Sequence, residues 1–322
     1  MGSRHSTPVY PFPATVVTVA GRDRLAWLNN LVTNDLRRLN DTASIECFVT
    51  DVKGRTLAHG LVFAEADQLH FLSWGSNQGT KLIAHWDRYI IREDVQLADS
   101  SQQANWYLLS ATAANAIFAA ESSPASASVW SERSVLKVGD WLGLDHPALG
   151  SDWRLVRLPP GSTIEGALSQ AKLGTATTLS EEEVTWHRLQ QAWPIVGVDF
   201  DDRNLPQELD RDARAISFHK GCYLGQETVA RLDALGQVQK KLVRLTLDPA
   251  RMNQAWMDRL LQPSVTTGTK VEVGDQEAGV ITSFARNPSL TQAMGLAYIK
   301  RAYLAPTTAF EVGGFPMILV TS

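Results

Sequence analysis

The sequence predicts an α+β fold whose last quarter is a small antiparallel barrel. Two observations carry this. Through the first hundred residues, short apolar and β-branched runs joined by tight turns alternate with single amphipathic helices, the pattern of helices laid on one side of an antiparallel sheet. After Gly236 the helical periodicity stops, and short strands separated by turn residues follow one another to the C-terminus, as in a small barrel or sandwich.

Residues 16–19 read as a strand that ends at Ala20-Gly21-Arg22-Asp23. Leu25, Leu28, Leu31 and Val32 then recur at helical spacing. Thr33-Asn34-Asp35 breaks that helix with residue types that favour caps and turns. Residues 45–50 and 56–63 form a hairpin about Asp51-Val52-Lys53-Gly54, and residues 69–74 add a third strand. Leu82, Ile83, Trp86, Tyr89 and Ile90 mark an amphipathic helix. The Ser/Ala/Pro-rich stretch 121–128 reads as a surface loop, and Pro159-Pro160-Gly161 closes a strand. Ser180-Glu181-Glu182-Glu183 is a capping box, in which the serine hydroxyl and the third-position carboxylate each satisfy a backbone amide of the first turn. The helix it opens runs to about Trp193, where Pro194 stops it. Residues 226–235 form another helix. The barrel strands fall at 242–247, 270–273, 279–285, 294–299 and in a pair about Gly313-Gly314.

Bulk properties narrow the function. A chain of 322 residues is too long for one small core and calls for two or three domains. Net charge is −4 and the pI about 6.0, so no global basic field draws in nucleic acid or anionic lipid. No apolar run approaches the roughly 20 residues needed to cross a bilayer, and residues 1–13 lack a secretory hydrophobic stretch. The expectation is a cytoplasmic, reduced setting with no membrane or clear nucleic-acid site. The two cysteines are far apart and none of the seven histidines forms an H-x-x-x-H pair, so no permanently held metal or cluster is expected. Cys47 lies in the apolar run 45–49, where a buried inert thiol is expected.

Cys222 is different. It sits in Lys220-Gly221-Cys222-Tyr223-Leu224-Gly225-Gln226-Glu227, after His219 and just ahead of a helix. The positive end of a helix dipole and neighbouring cations both favour the reactive thiolate. Lys220 reads either as a solvated surface lysine or as a group that lowers the thiol pKa or holds an anion. Gly221 and Gly225 are turn glycines that permit positive torsions and close approach of a ligand. Glu227 complements the helix dipole, and Arg231 is placed for an i, i+4 ion pair with it. A cysteine hydrolase is disfavoured, because His219 is adjacent in sequence and adjacency rarely gives triad geometry.

The run KGCYLGQE resembles the signature of the YgfZ family, relatives of the glycine cleavage T-protein that bind folate and support iron–sulfur proteins. The blocks Val19-x-Gly21-x-Asp23, Leu31-Val32-Thr33-Asn34-Asp35, Lys53-Gly54-Arg55 and Leu205-Pro206-Gln207-Glu208 resemble further family segments. The likeness is weakest between about residues 100 and 178. It implies a T-protein-like ring of three domains around a central opening: residues 1–35 with 100–235 as a discontinuous α+β domain, 36–99 as an inserted α+β domain, and 237–322 as the barrel.

It also implies tetrahydrofolate or a one-carbon derivative as cofactor, and iron–sulfur client or assembly proteins as partners. Cys222 and Lys220 would carry the chemistry. Glu208 would take the pterin, since a carboxylate accepts parallel hydrogen bonds from its 2-amino group and N3. Asn34, Gly221, Gln226, Glu227 and Arg231 would line the cofactor, with Arg231 toward the glutamate tail. The function implied is a folate-binding accessory protein of iron–sulfur assembly or repair. The alternative is a T-protein-like aminomethyltransferase. That reaction needs an acid where this chain has Lys81, and no carboxylate occurs between Asp67 and Asp87. A scaffold protein with a purely structural cysteine motif is the reading from another class, separable by titrating the thiol.

Overall fold

The computed structural model describes residues 6–75, 77–121, 134–236, 238–261 and 265–320. Residues 122–128 of the expected loop lie outside these. The chain divides into two compact units: Met1–Thr50, Leu57–Leu179 and Ala213–Leu224 in the first, and Asp51–Thr56, Ser180–Asp212 and Gly225–Ser322 in the second.

The first unit begins with β1 (Thr7–Pro11), β2 (Ala14–Ala20) and α1 (Arg24–Asn29). It continues with β3 (Ser44–Thr50), β4 (Thr56–Glu65), β5 (Gln68–Trp74), α2 (Gly79–Trp86) and β6 (Gln96–Asp99). Strands β2 to β6 form a five-stranded sheet in the order β3-β4-β5-β2-β6. The interior strand β2 pairs antiparallel with both β5 and β6. It is buried on both faces, which explains why its sequence shows no regular alternation of apolar and charged residues. On one face Val17, Val19 and Phe71 pack against Leu28 of α1 and Leu82 and Trp86 of α2. Trp27 meets Trp86 edge-on at 6.4 Å and donates its indole N–H to the Tyr89 carbonyl at 2.9 Å.

A second sheet in the same unit is less legible in the sequence. It uses β7 (Trp106–Ser110), β8 (Val135–Val138), β9 (Trp141–Leu144), β10 (Trp153–Arg157) and β11 (Ala176–Thr178), in the order β11-β1-β7-β10-β9-β8. Helices α3 (Ala111–Glu121) and α4 (Ile164–Gln170) pack on it through Ile117, Phe118 and Leu168. Phe63 of β4 meets Trp106 of β7 at 6.4 Å, and Arg157 of β10 grips Glu65 of β4 with two hydrogen bonds of 2.6 and 2.8 Å.

The second unit opens with α5 (Glu181–Gln190), whose Ser180–Glu183 capping box forms as expected. The helix stops three residues short of the expected end, with Ala192 in the left-handed region ahead of Pro194. Arg188 of α5 is buried. It donates to Asp199 at 2.6 Å, to the Trp193 carbonyl at 2.7 Å and to Ser283 at 2.7 Å. The short α6 (Asp212–Ala215) spans the division between the units. Helices α7 (Gln226–Leu235) and α8 (Gln254–Leu260) follow it.

The barrel strands are β12 (Lys240–Leu247), β13 (Lys270–Val273), β14 (Gln276–Arg286), β15 (Ala293–Lys300), β16 (Ala309–Val312) and β17 (Phe315–Leu319). They close in the order β12-β15-β14-β13-β16-β17. Of the barrel and the sandwich that the sequence allowed, the barrel is the outcome. Closure removes unpaired strand edges, and the interior is filled by Leu245, Ile281, Phe310, Phe315 and Met317.

Candidate functional site

Cys222 is exposed, whereas Cys47 is fully buried in β3, and burial pushes the Cys47 thiol far above the ordinary cysteine range. The sequence thus holds one inert thiol and one accessible one. The loop bearing Cys222 is tied down on both sides. Leu224 donates its amide to the Asn30 carbonyl at 2.9 Å, and its own carbonyl accepts from the Thr50 hydroxyl at 2.6 Å. Ser217 donates to the Thr33 carbonyl at 3.0 Å.

Lys220 supplies the firmest tie, and not in the role expected of it. The side chain is 5% exposed. Its ammonium donates to the carbonyl oxygens of Asn29, Val32 and Asn34, the last two at 2.8 and 2.7 Å. Burial pulls it down to about 8, against the opposing influence of Cys47 and Asp35. Its charge is therefore committed to the backbone of the segment after α1, and it acts as a brace for the Cys222 loop. Tyr223 covers it, with the ammonium 5.2 Å from the ring centre.

Asn34 is likewise engaged. Its amide donates to the carbonyls of Glu46 at 2.8 Å and Arg214 at 2.7 Å. Asp35 caps a short 3-10 turn, Leu36–Arg38, and hydrogen bonds from Arg37 hold its carboxyl at about 2. The braced segment contributes to the lining of two cavities of the first unit. One of about 620 Å³ is lined by Trp27, Asn30, Leu31, Tyr89, Arg92 and Leu224. The other, about 430 Å³, is lined by Asn34, Arg38, Ile45, Glu46, Leu61 and Arg214, and Glu46 there pairs with the buried His59 at 2.9 Å. An exposed thiol thus lies two residues from the wall of a chamber large enough for a small-molecule ligand. The chamber residues Tyr89 and Arg92 and the Glu46–His59 pair carried no local sequence signal, because distant strands and helices bring them together.

The other expected site residues, Gly221 apart, belong to the second unit. Glu208 is buried within a 3-10 turn, Pro206–Leu209, rather than exposed in a loop. Its Oε2 accepts from Asn204 at 2.8 Å and lies 4.0 Å from the Lys240 ammonium, while Oε1 takes no hydrogen bond from the described residues. Gly225 has φ +80°, and a side chain there would collide with the Asp51 carbonyl and lie 2.8 Å from Gly54 Cα. Gly221, expected to share that behaviour, has no positive φ and faces open space. Gln226 and Glu227 form the first turn of α7. Glu227 and Arg231 are both exposed, and among the described residues the expected ion pair between them does not form.

No acid stands in the first turn of α2, and Lys81 is exposed. Yet β6 carries the Asp99 carboxylate against Gly79, so closely that a methyl group on Gly79 would overlap it. Asp99 also accepts from the Ser101 amide and hydroxyl. Among the described residues no group of three or more His, Cys, Asp or Glu is placed to hold a metal, and no helix is long and apolar enough to cross a membrane.

Comparison with known proteins agrees with the resemblance read from the sequence. Residues 240–315 match the glycine cleavage T-protein C-terminal barrel domain. The chain is 26% identical over 249 residues to the iron-sulfur cluster assembly factor IBA57 homolog, mitochondrial, of Mycosarcoma maydis, covering 72% of this chain and 55% of that protein. It is 25% identical over 246 residues to the tRNA-modifying protein YgfZ of Escherichia coli O157:H7, covering 76% of this chain and 72% of that one. It therefore spans little more than half the length of the first relative. The glycine cleavage system aminomethyltransferase T of Bartonella henselae superposes with a TM-score of 0.74 at 14% identity, covering 99% of this chain and 86% of that one. The fold is that of the glycine cleavage T-protein.

Proposed function

We propose that this chain is a tetrahydrofolate-binding accessory protein of iron–sulfur cluster assembly or repair, working through Cys222. The observation that carries the reading is the exposed thiol on a loop held by the buried Lys220 brace. An accessible sulfur on a fixed loop suits thiol exchange or passing contact with a cluster in transit. Relatives named for iron–sulfur assembly and for tRNA modification support the same direction.

The residues present fit the folate. Glu208 keeps Oε1 without a hydrogen bond from the described residues while Asn204 fixes its other oxygen, the arrangement of a carboxylate ready to accept from an amino or ring N–H. Bound tetrahydrofolate supplies a reduced pterin that carries one-carbon units. Glu208 would orient it, and the Lys220 brace would hold the Cys222 backbone in place.

The test separates the two parts. Tetrahydrofolate should bind at micromolar Kd or tighter, roughly −8 kcal/mol, and Glu208→Gln should weaken it at least about tenfold. Cys222→Ser should keep fold and affinity but fail to restore iron–sulfur enzyme activity in cells lacking the protein. Full restoration by that variant rejects the thiol role.

A second reading, aminomethyl transfer, draws on the Asp99 carboxylate at the start of α2. Steady turnover with glycine-cleavage partner proteins, lost in Asp99→Asn, would favour it; no turnover would dismiss it.

A further inference from the structure

The second unit contains a cavity of about 320 Å³ that neither the thiol nor the folate reading uses. Two of its lining groups are acceptors without donors. Gln207 is 6% exposed, and its Nε2 donates to the Val229 carbonyl at 2.7 Å. That bond fixes the orientation of the amide and leaves Oε1 buried with no partner. Asp212 Oδ1 is also buried with no partner. A buried acceptor without a donor costs about 1–3 kcal/mol, and native proteins leave few of them. Both belong to residues that line one cavity, which marks it as a place for a ligand rich in N–H groups.

Charge and shape narrow the ligand. Burial raises the Asp212 carboxyl to about 6, so a cation beside it would be favoured. Lys241 at the rim is already paired with Asp210 at 2.6 Å. Arg301 is exposed, and its guanidinium makes no hydrogen bond or ion pair with the described residues. Such a fork suits a carboxylate. Leu232, Val238 and Leu304 add apolar surface to the same lining. Oxygens lacking donors, a guanidinium without a partner and apolar side chains in one lining describe one class of molecule.

We propose that this cavity binds a free α-amino acid with an apolar side chain, its ammonium donating to Gln207 Oε1 and Asp212 Oδ1 and its carboxylate meeting Arg301. The site is independent of the folate and of Cys222.

The experiment is calorimetric titration of the full chain with L-leucine and with L-methionine. The controls are 4-methylpentanoate, which lacks the ammonium, and 3-methylbutylamine, which lacks the carboxylate. At least one amino acid should bind with a Kd of about 1 mM or tighter, and both controls at least about tenfold more weakly than leucine. Gln207→Leu and Arg301→Ala should each weaken binding at least about tenfold with an unchanged circular dichroism spectrum. Should Gln207→Leu misfold, the exposed Arg301→Ala decides alone. The proposal is overturned if neither amino acid binds below about 10 mM, if the controls or Arg301→Ala bind like the parent pair, or if crystals grown with leucine show water alone on the two oxygens.

Discussion

Replacing Lys220 by methionine removes the ammonium while keeping the length of the stem. Three buried carbonyls, those of Asn29, Val32 and Asn34, lose their shared donor. Bonds to a charged donor contribute about 1.5–3 kcal/mol each, less than additively when one group serves all three. Against this stands the cost of burying the ammonium: a fall from 10.5 to about 8 corresponds to about 3–4 kcal/mol at ~1.4 kcal/mol per pKa unit. The net expectation is a loss of about 2–4 kcal/mol, which agrees with the cost of breaking a buried charged contact. Urea unfolding followed by far-UV circular dichroism should show the midpoint falling by about 1 M, and N-ethylmaleimide should label Cys222 faster as its loop loosens. An internal check uses pH. The unfolded chain binds more protons than the folded one between pH 8 and 10.5, so the parent protein gains stability over Lys220→Met as pH rises through that window. A loss under about 0.5 kcal/mol, or a fall in folate affinity with unchanged unfolding, would refute the brace and return Lys220 to the ligand.

Four further outcomes are expected. Gly225→Ala should cost about 2–4 kcal/mol, because φ is positive and Asp51 and Gly54 block the new methyl, while Gly221→Ala should stay within about 0.5 kcal/mol, both read from urea midpoints. N-ethylmaleimide should modify Cys222 in the folded protein and Cys47 after unfolding, as peptide mass mapping would show. Arg188→Met leaves the Asp199 carboxylate buried without its cation and should cost about 3–5 kcal/mol in the same unfolding assay. Asp212 is raised from 3.8 to about 6 in the fold, so the folded chain binds more protons across that window and stability falls as pH rises through it. Asp212→Asn should therefore be about 1–2 kcal/mol more stable than the parent at neutral pH, allowing for solvent screening, with no gain near pH 4.

What the sequence disclosed was local. Strands β3, β4 and β5 and the barrel strands were legible because tight turns bound short runs of strand-forming residues. The Ser180–Glu183 cap was legible because both of its bonds lie within four residues. The sheet built on β7 to β10 was not. Its strands are only four or five residues long, and their pairing is decided by partners elsewhere in the chain. The same divide runs through the site. An accessible Cys222 followed from its neighbours, but the role of Lys220 did not, because its acceptors lie about 190 residues earlier in the chain. Asp99 escaped notice for the same reason: a window of sequence around Lys81 says nothing about a carboxylate delivered by a paired strand. Gln207 and Asp212 have unremarkable neighbours, and what marks them is the lack of a donor, a property of packing alone.

The polypeptide leaves one compact unit for the other between Thr50 and Asp51 and returns after Thr56. It leaves again after Leu179 and recrosses after Asp212 and after Leu224. No single truncation of the gene can therefore yield either unit whole, and a protease nick at one crossing leaves both products threaded through the same body. The last crossing cuts the KGCYLGQE octapeptide between its leucine and its second glycine. Any dissection that tried to free the thiol-bearing portion from the barrel would sever the motif it set out to preserve.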